Sequence, residues 1–139
     1  MVTKDLLLVE DSEDDAFFFE RTFQESRNSF ALHHVQNGAE AIDFLKKAET
    51  SNSLPKIVFL DLKMPVLNGF EVLTWLQKQK FAKDLPVVVL SGSSHEADKT
   101  KASDLGARDY LVKPLTVENL NRLLKQMVPG ASGKTKGAS

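Results

Sequence analysis

The chain contains no cysteine in its 139 residues. That removes disulfides, thiolate metal sites and cysteine nucleophiles together. Neither charge is in large surplus: the formal net charge is −1, so no broad basic field exists to hold nucleic acid. Long apolar runs are missing too. Met1 to Asp5 leads into Leu6-Leu7-Leu8-Val9 and then straight into Glu10 and Asp11, which is too short for a signal-peptide core or a membrane span. The expectation is a cytoplasmic protein with neither a membrane nor a nucleic acid as partner. What is present, 42% hydrophobic and 27% charged residues, is an ordinary soluble composition. The length suits one domain built on one core.

The most informative stretch is Ile57-Val58-Phe59-Leu60-Asp61. The apolar run is rich in β-formers and too short for a two-faced helix, so it reads as a strand buried on both sides. Pro65 and the Asn68-Gly69 turn signal end it. Asp61 then stands at the carboxyl end of a central strand, where open α/β sheets carry their sites. A plain turn cap is the alternative. Leu6 to Val9 repeats the pattern and ends in Glu10 and Asp11. Glu13, Asp14 and Asp15 are accounted for by the dipole of the helix they open. Glu10 and Asp11 precede any helix and are not.

That first helix turns Ala16, Phe19 and Phe23 inward and runs to about Arg27; Phe17 and Phe18 read as extra core. Phe30 to Val35 is a strand whose neighbours His33 and His34 point to opposite faces and cannot share a metal; both read as ordinary strand residues. Asn37 with Glu40 resembles a capping box for a helix burying Ala41, Ile42, Leu45 and Ala48. Gly69 to Lys78 forms a third helix with Val72, Leu73 and Leu76 inward. Val87 to Leu90 is another buried strand, ending at Ser91-Gly92-Ser93. Ser93 and Glu96 are spaced to cap the next helix, about His95 to Leu105, which is poor in apolar residues and weakly anchored. Gly106 closes it. Asp109 to Val112 is the last strand, followed by Lys113-Pro114, and Thr116 caps a helix carrying Val117, Leu120, Leu124 and Met127. Residues 129–139 offer nothing to bury and are expected to be disordered, which leaves 1–128 as the domain.

Strand and helix thus alternate as a (βα)5 chain, which calls for a doubly wound parallel α/β sheet with right-handed crossovers. All strand ends then meet on one edge: Glu10, Asp11, Asp61, Ser91 and Lys113. Crowded carboxylates are relieved by a cation or by a raised pKa. A few hard oxygen ligands suit Mg²⁺, which keeps waters and shares phosphate oxygens. Asp11 and Asp61, with Glu10 direct or through water, would hold it. Asp61 would be the nucleophile that forms an aspartyl phosphate, Lys113 would balance the charge, and Ser91 would donate a hydrogen bond. The Lys113-Pro114 bond is a candidate for the cis form, with Pro114 aiming the ammonium at the site. A solvated surface lysine is the alternative for Lys113.

Leu8-Val9-Glu10-Asp11, Phe59-Leu60-Asp61-Leu62-Lys63-Met64-Pro65 with Asn68-Gly69, Val89-Leu90-Ser91-Gly92 and Gly106 to Pro114 resemble the receiver domain of two-component response regulators. The resemblance covers Asp5 to about Val128. It implies the flavodoxin-like strand order 2-1-3-4-5 and phosphoryl transfer to Asp61 from a histidine kinase or phosphotransfer protein. It also implies Mg²⁺ on Asp11, Glu10, Asp61 and the Lys63 backbone carbonyl. Ser91 and Tyr110 would be the switch pair, unless Tyr110 is a plain strand aromatic. With no output domain behind it, the chain looks like a stand-alone receiver acting through an unknown downstream protein, with a homodimer as a further arrangement. Beyond its own phosphorylation and dephosphorylation it would not be an enzyme. The opening Val9-Glu10-Asp11-Ser12-Glu13-Asp14-Asp15 and the Glu49–Pro55 loop are similar to receivers paired with phytochrome-like kinases.

Lys63 departs from many relatives, which carry a neutral polar residue there; with Ser93 it is expected to tune the lifetime of the phosphorylated form. A dehalogenase-type phosphatase would want a second aspartate where Lys63 stands. A flavin or nucleotide module would want a Gly/Ser/Thr loop after the first strand, where this chain is acidic.

Overall fold

The computed structural model describes residues 4–128; the expectation for 129–139 lies outside the described residues. Five parallel strands, β1 (Asp5–Val9), β2 (Ala31–Val35), β3 (Ile57–Asp61), β4 (Val87–Ser91) and β5 (Asp109–Val112), form one sheet. Its order is β2-β1-β3-β4-β5, the flavodoxin-like arrangement expected. Helices α1 (Glu13–Glu25), α2 (Gly38–Thr50), α3 (Gly69–Gln77), α4 (Glu96–Asp104) and α5 (Val117–Met127) fill the crossovers.

Side chains alternate across a strand, and here that splits the core in two. Leu7, Val9, Val58, Leu60 and Val89 pack with Ala41 and Leu45 of α2, Val72, Leu73 and Leu76 of α3, and Ala102 of α4. Leu6, Leu8, Ile57, Phe59 and Val88 face the other way, onto Ala16 and Phe19 of α1 and Leu120, Leu123 and Leu124 of α5. β3 is buried throughout, and the Phe59 ring meets Phe19 edge-on at 5.0 Å between centroids. Burying each such side chain is worth about 1.5–3 kcal/mol, so Asp61 is carried by a firmly held central strand.

Parallel register brings the strand ends level. Val9 pairs with Leu60, Asp61 with Leu90, and Ser91 with Val112. Glu10 and Lys113, the next residues of their chains, therefore flank Asp61. At the start of α3, Asn68 and Glu71 form a complete capping box, a signal that a turn reading of Asn68-Gly69 passes over. Gly69 is needed there: a Cβ would lie 2.5 Å from the Asp61 carbonyl and 2.8 Å from Leu62 Cα. Gly106 closes α4 with φ at +102°, as the sequence suggests.

Several expectations fail locally. Ser93 does not cap α4. The cap position is His95, without a side-chain bond, because the Ser93 hydroxyl accepts from the His95 N–H and donates to Asp98. Asn37 caps α2, but Glu40 accepts from Gln36 N–H, so the box is shifted by one residue. Phe17 and Phe18 are not core; they are 55% and 56% exposed. A 3₁₀ turn at Lys80–Asp84, absent from the sequence reading, links α3 to β4.

Candidate phosphoacceptor site

Asp61 is 7% exposed and Glu10 2%, while Asp11 is exposed. One oxygen from each of the three lies within 4.8 Å of the others. Two of these carboxyls are thus out of water and facing each other, and the physics of the pair shows in Asp61. Its pKa is raised from 3.8 to about 7, first by burial and then by the charge of Glu10. Lys113 pulls it down, a hydrogen bond shared with Glu10 pushes it up, and the Lys63 backbone N–H donates to it and lowers it. A divalent cation would relieve that crowding, and the donors are all hard oxygens at one rim, so the residues fit Mg²⁺.

The Lys113 ammonium enters from the β5 side. It lies 2.8 Å from Glu10 Oε1, 2.7 Å from Asp15 Oδ2 and 3.5 Å from Asp61 Oδ1. Burial would lower its pKa, but the bonds from Asp15 and Glu10 hold it above the ordinary value. The Lys113 N–H donates to the Ser91 carbonyl at 2.8 Å, and the Lys113–Pro114 peptide is cis. Lys113 is therefore no solvated surface lysine.

Ser91 and Tyr110 are joined through Ser93 rather than to each other. Ser91 is buried, and its Oγ accepts the Ser93 N–H at 3.0 Å. The Tyr110 hydroxyl donates to the Ser93 carbonyl at 2.8 Å. Lys63 is exposed and its side chain makes no ion pair among the described residues.

Two residues read as ordinary belong to this site. Asp15 does more than open α1; its carboxylate is the shortest contact of Lys113. His34 donates its Nε2–H to the Glu10 carbonyl at 2.8 Å, tying edge strand β2 to the acidic loop. Nothing local in the sequence marks either. The Ser12 hydroxyl fixes the turn by accepting the Asp15 N–H, while a Glu10 oxygen accepts the Ser12 N–H.

The family model of the response regulator receiver domain matches residues 6–125. The chain belongs to the response regulator receiver family. Probable methanogenesis regulatory protein FilR2 of Methanothrix harundinacea strain 6Ac is 33% identical over 123 residues, 88% of this receiver and 79% of FilR2. Of two longer curated relatives the receiver spans only about half the length, 49% and 54%, and of PilH from Pseudomonas aeruginosa, 27% identical, it spans 98%. A two-component response regulator from Cytophaga hutchinsonii superposes with a TM-score of 0.83 at 25% identity, covering 91% of this chain and 98% of that one. The phosphorylated cyanobacterial phytochrome response regulator RcpA does so at 0.74 and 30%, covering 90% and 91%. The Mn²⁺-bound response regulator Rcp1 gives 0.73 and 29%, covering 98% and 99%. The receiver is thus similar to phytochrome response regulators, as its opening motif suggests. No helix among the described residues is long and apolar enough to cross a membrane.

Proposed function

We propose that the protein accepts a phosphoryl group on Asp61 from the phosphohistidine of a histidine kinase or phosphotransfer protein, in a Mg²⁺-dependent reaction. It then signals through a phosphorylation-dependent change of its protein-binding face. The observation that carries this reading is the meeting of one cation, Lys113, with the buried carboxyls of Glu10 and Asp61 and with Asp11 at the carboxyl edge of the sheet.

In the forward step an Asp61 oxygen attacks phosphorus in line. The bond from phosphorus to the donor's imidazole nitrogen breaks, and its electron pair leaves with the nitrogen. Lys113 is placed to balance charge on the equatorial oxygens. The Ser91 Oγ already accepts a backbone N–H, which leaves its proton to donate to a phosphoryl oxygen. Mg²⁺ bound by Glu10, Asp11, Asp61 and the Lys63 carbonyl would supply Lewis-acid neutralisation of the phosphoryl charge. Phosphorylated RcpA and Mn²⁺-bound Rcp1 support the same reading by similarity.

In dephosphorylation, a separate step, water attacks phosphorus, the phosphorus–Asp61 oxygen bond breaks with its electron pair returning to the carboxylate, and inorganic phosphate carries away the water's oxygen and protons. The chain is in this reading a phosphoacceptor and not a turnover enzyme. Helix α4 buries only Ala102, and its other contacts include Lys99 over Tyr110 at 6.0 Å, Lys101 over Phe70 at 4.4 Å, and hydrogen bonds from Gln77 to the Asp104 carbonyl and from Ser93 to Asp98. It is the element most easily biased by a change at Ser91 and Tyr110.

Acetyl phosphate with Mg²⁺ should label Asp61, and EDTA or Asp11→Ala should abolish labelling. Labelling that persists in EDTA would overturn the metal assignment; labelling that survives Asp61→Asn would overturn the acceptor.

A further inference from the structure

The Lys113 ammonium pairs more closely with Asp15 and Glu10 than with Asp61. It is 2.7 Å from Asp15 and 3.5 Å from Asp61. Asp15 lies outside the trio of carboxyls that converge for a cation. Its backbone is fixed by the Ser12 cap in the first turn of α1, so its carboxylate is presented to Lys113 by the helix itself. A cleft of about 50 Å³ bordered by Asp15, Lys113, Phe18 and Leu115 opens beside this pair. Space, and not tight packing, lies next to the lysine head. The contact with Asp15 also ranks with that to Glu10 among the interactions that keep Lys113 charged.

We propose that Asp15 is a positioning residue that holds Lys113 in reserve. The ammonium reaches a phosphoryl group on Asp61 only by leaving the Asp15 carboxylate, which therefore slows phosphorylation. The inference rests on Asp61 as phosphoacceptor and adds a residue that competes with the phosphoryl oxygens for the same cation. A charge-assisted hydrogen bond is strong, but Asp15 is 41% exposed on its side chain and the pair is partly screened.

The test uses the full chain as wild type, Asp15→Asn and Asp15→Glu. One readout is the rate of Asp61 phosphorylation by acetyl phosphate at saturating Mg²⁺, followed by mass spectrometry. The other is the ¹⁵Nζ resonance of Lys113, assigned by its loss in Lys113→Arg. Asp15→Asn should be phosphorylated roughly three- to tenfold faster, the range between a screened and a charge-assisted pair. Without ligand, its Nζ resonance should move toward the position seen in beryllofluoride-bound wild type. Asp15→Glu keeps the anion and should restore both values. Equal rates overturn the proposal. So does a faster rate with an unmoved Nζ resonance, which would mean that Asp15 merely repels the donor. A purely structural pair would change thermal stability and neither readout. If acetyl phosphate fails to label wild-type Asp61 at all, the acceptor reading falls first and this inference with it.

Discussion

Neutralising Asp61 should stabilise the metal-free protein, and the gain should depend on pH. Asp61 is almost wholly buried and faces Glu10, which raises its pKa from 3.8 to about 7. A carboxyl whose folded-state pKa is raised contributes stability that is fully present below about 3.8. That contribution declines above it and is lost as pH rises through about 7. Each tenfold change in proton affinity is worth about 1.4 kcal/mol, so ionised Asp61 costs the fold up to about 4 kcal/mol. Asp61→Asn removes that cost but gives up the long contact to Lys113, leaving a net gain of about 2–4 kcal/mol at pH 8.5. For a chain of this size that is roughly 6–12 °C in Tm. The gap should narrow steadily as pH falls from 7 toward 3.8 and vanish only below that, where wild-type Asp61 is protonated in both states. Urea unfolding of both proteins in EDTA at pH 5 and pH 8.5 measures it. Mg²⁺ at pH 8.5 should stabilise wild type far more than the variant and narrow the gap. A gap equally large at both pH values, or wild type the more stable at pH 8.5, would refute the reasoning.

Three further outcomes are expected. Lys63 is exposed beside Asp61 and its stem can lie across the approach of water, so Lys63→Asn and Lys63→Ala should both lose phosphate faster than wild type at matched Mg²⁺; slower decay in both would reverse the sign. Ser93 is small and offers no carboxylate or amide to orient that water, so Lys63 is the residue to vary. Gly69→Ala must push its Cβ away from the Asp61 carbonyl and Leu62, and should cost about 1–3 kcal/mol of stability in urea unfolding. Beryllofluoride with Mg²⁺ should change hydrogen exchange in α4, β5 and α5; a change confined to α2 would place the signalling face elsewhere.

The parts of the site legible in the sequence are those whose cause is local. An apolar run that stops at an acid is a buried strand end whatever surrounds it, and that places Glu10, Asp11 and Asp61. Lys113 could be read because it follows a strand and precedes proline. The alternation of strands and helices supplied the architecture, and the motif resemblance supplied the strand order now seen. Local rules misled where two of them competed. Ser93 has the spacing of a cap, but its hydroxyl is engaged with Asp98 and His95. Phe17 and Phe18 are apolar yet exposed, since a helix on one face of a sheet buries only the stripe that carries Ala16 and Phe19.

What only the tertiary structure decided is which groups meet. Asp15 and Lys113 are 98 positions apart, and the helix dipole explains Asp15 so fully that its sequence leaves nothing over to point at a partner. His34 looks like any residue of an edge strand until parallel pairing of β1 and β2 brings it beside the Glu10 carbonyl. The raised pKa of Asp61 likewise comes from burial and from the charge of Glu10, and neither exists until the sheet closes. Sequence determined the ends of the strands, because hydrophobic runs and their breakers act over a few residues. The distances between those ends, on which the charge of the site depends, belong to the packed sheet alone.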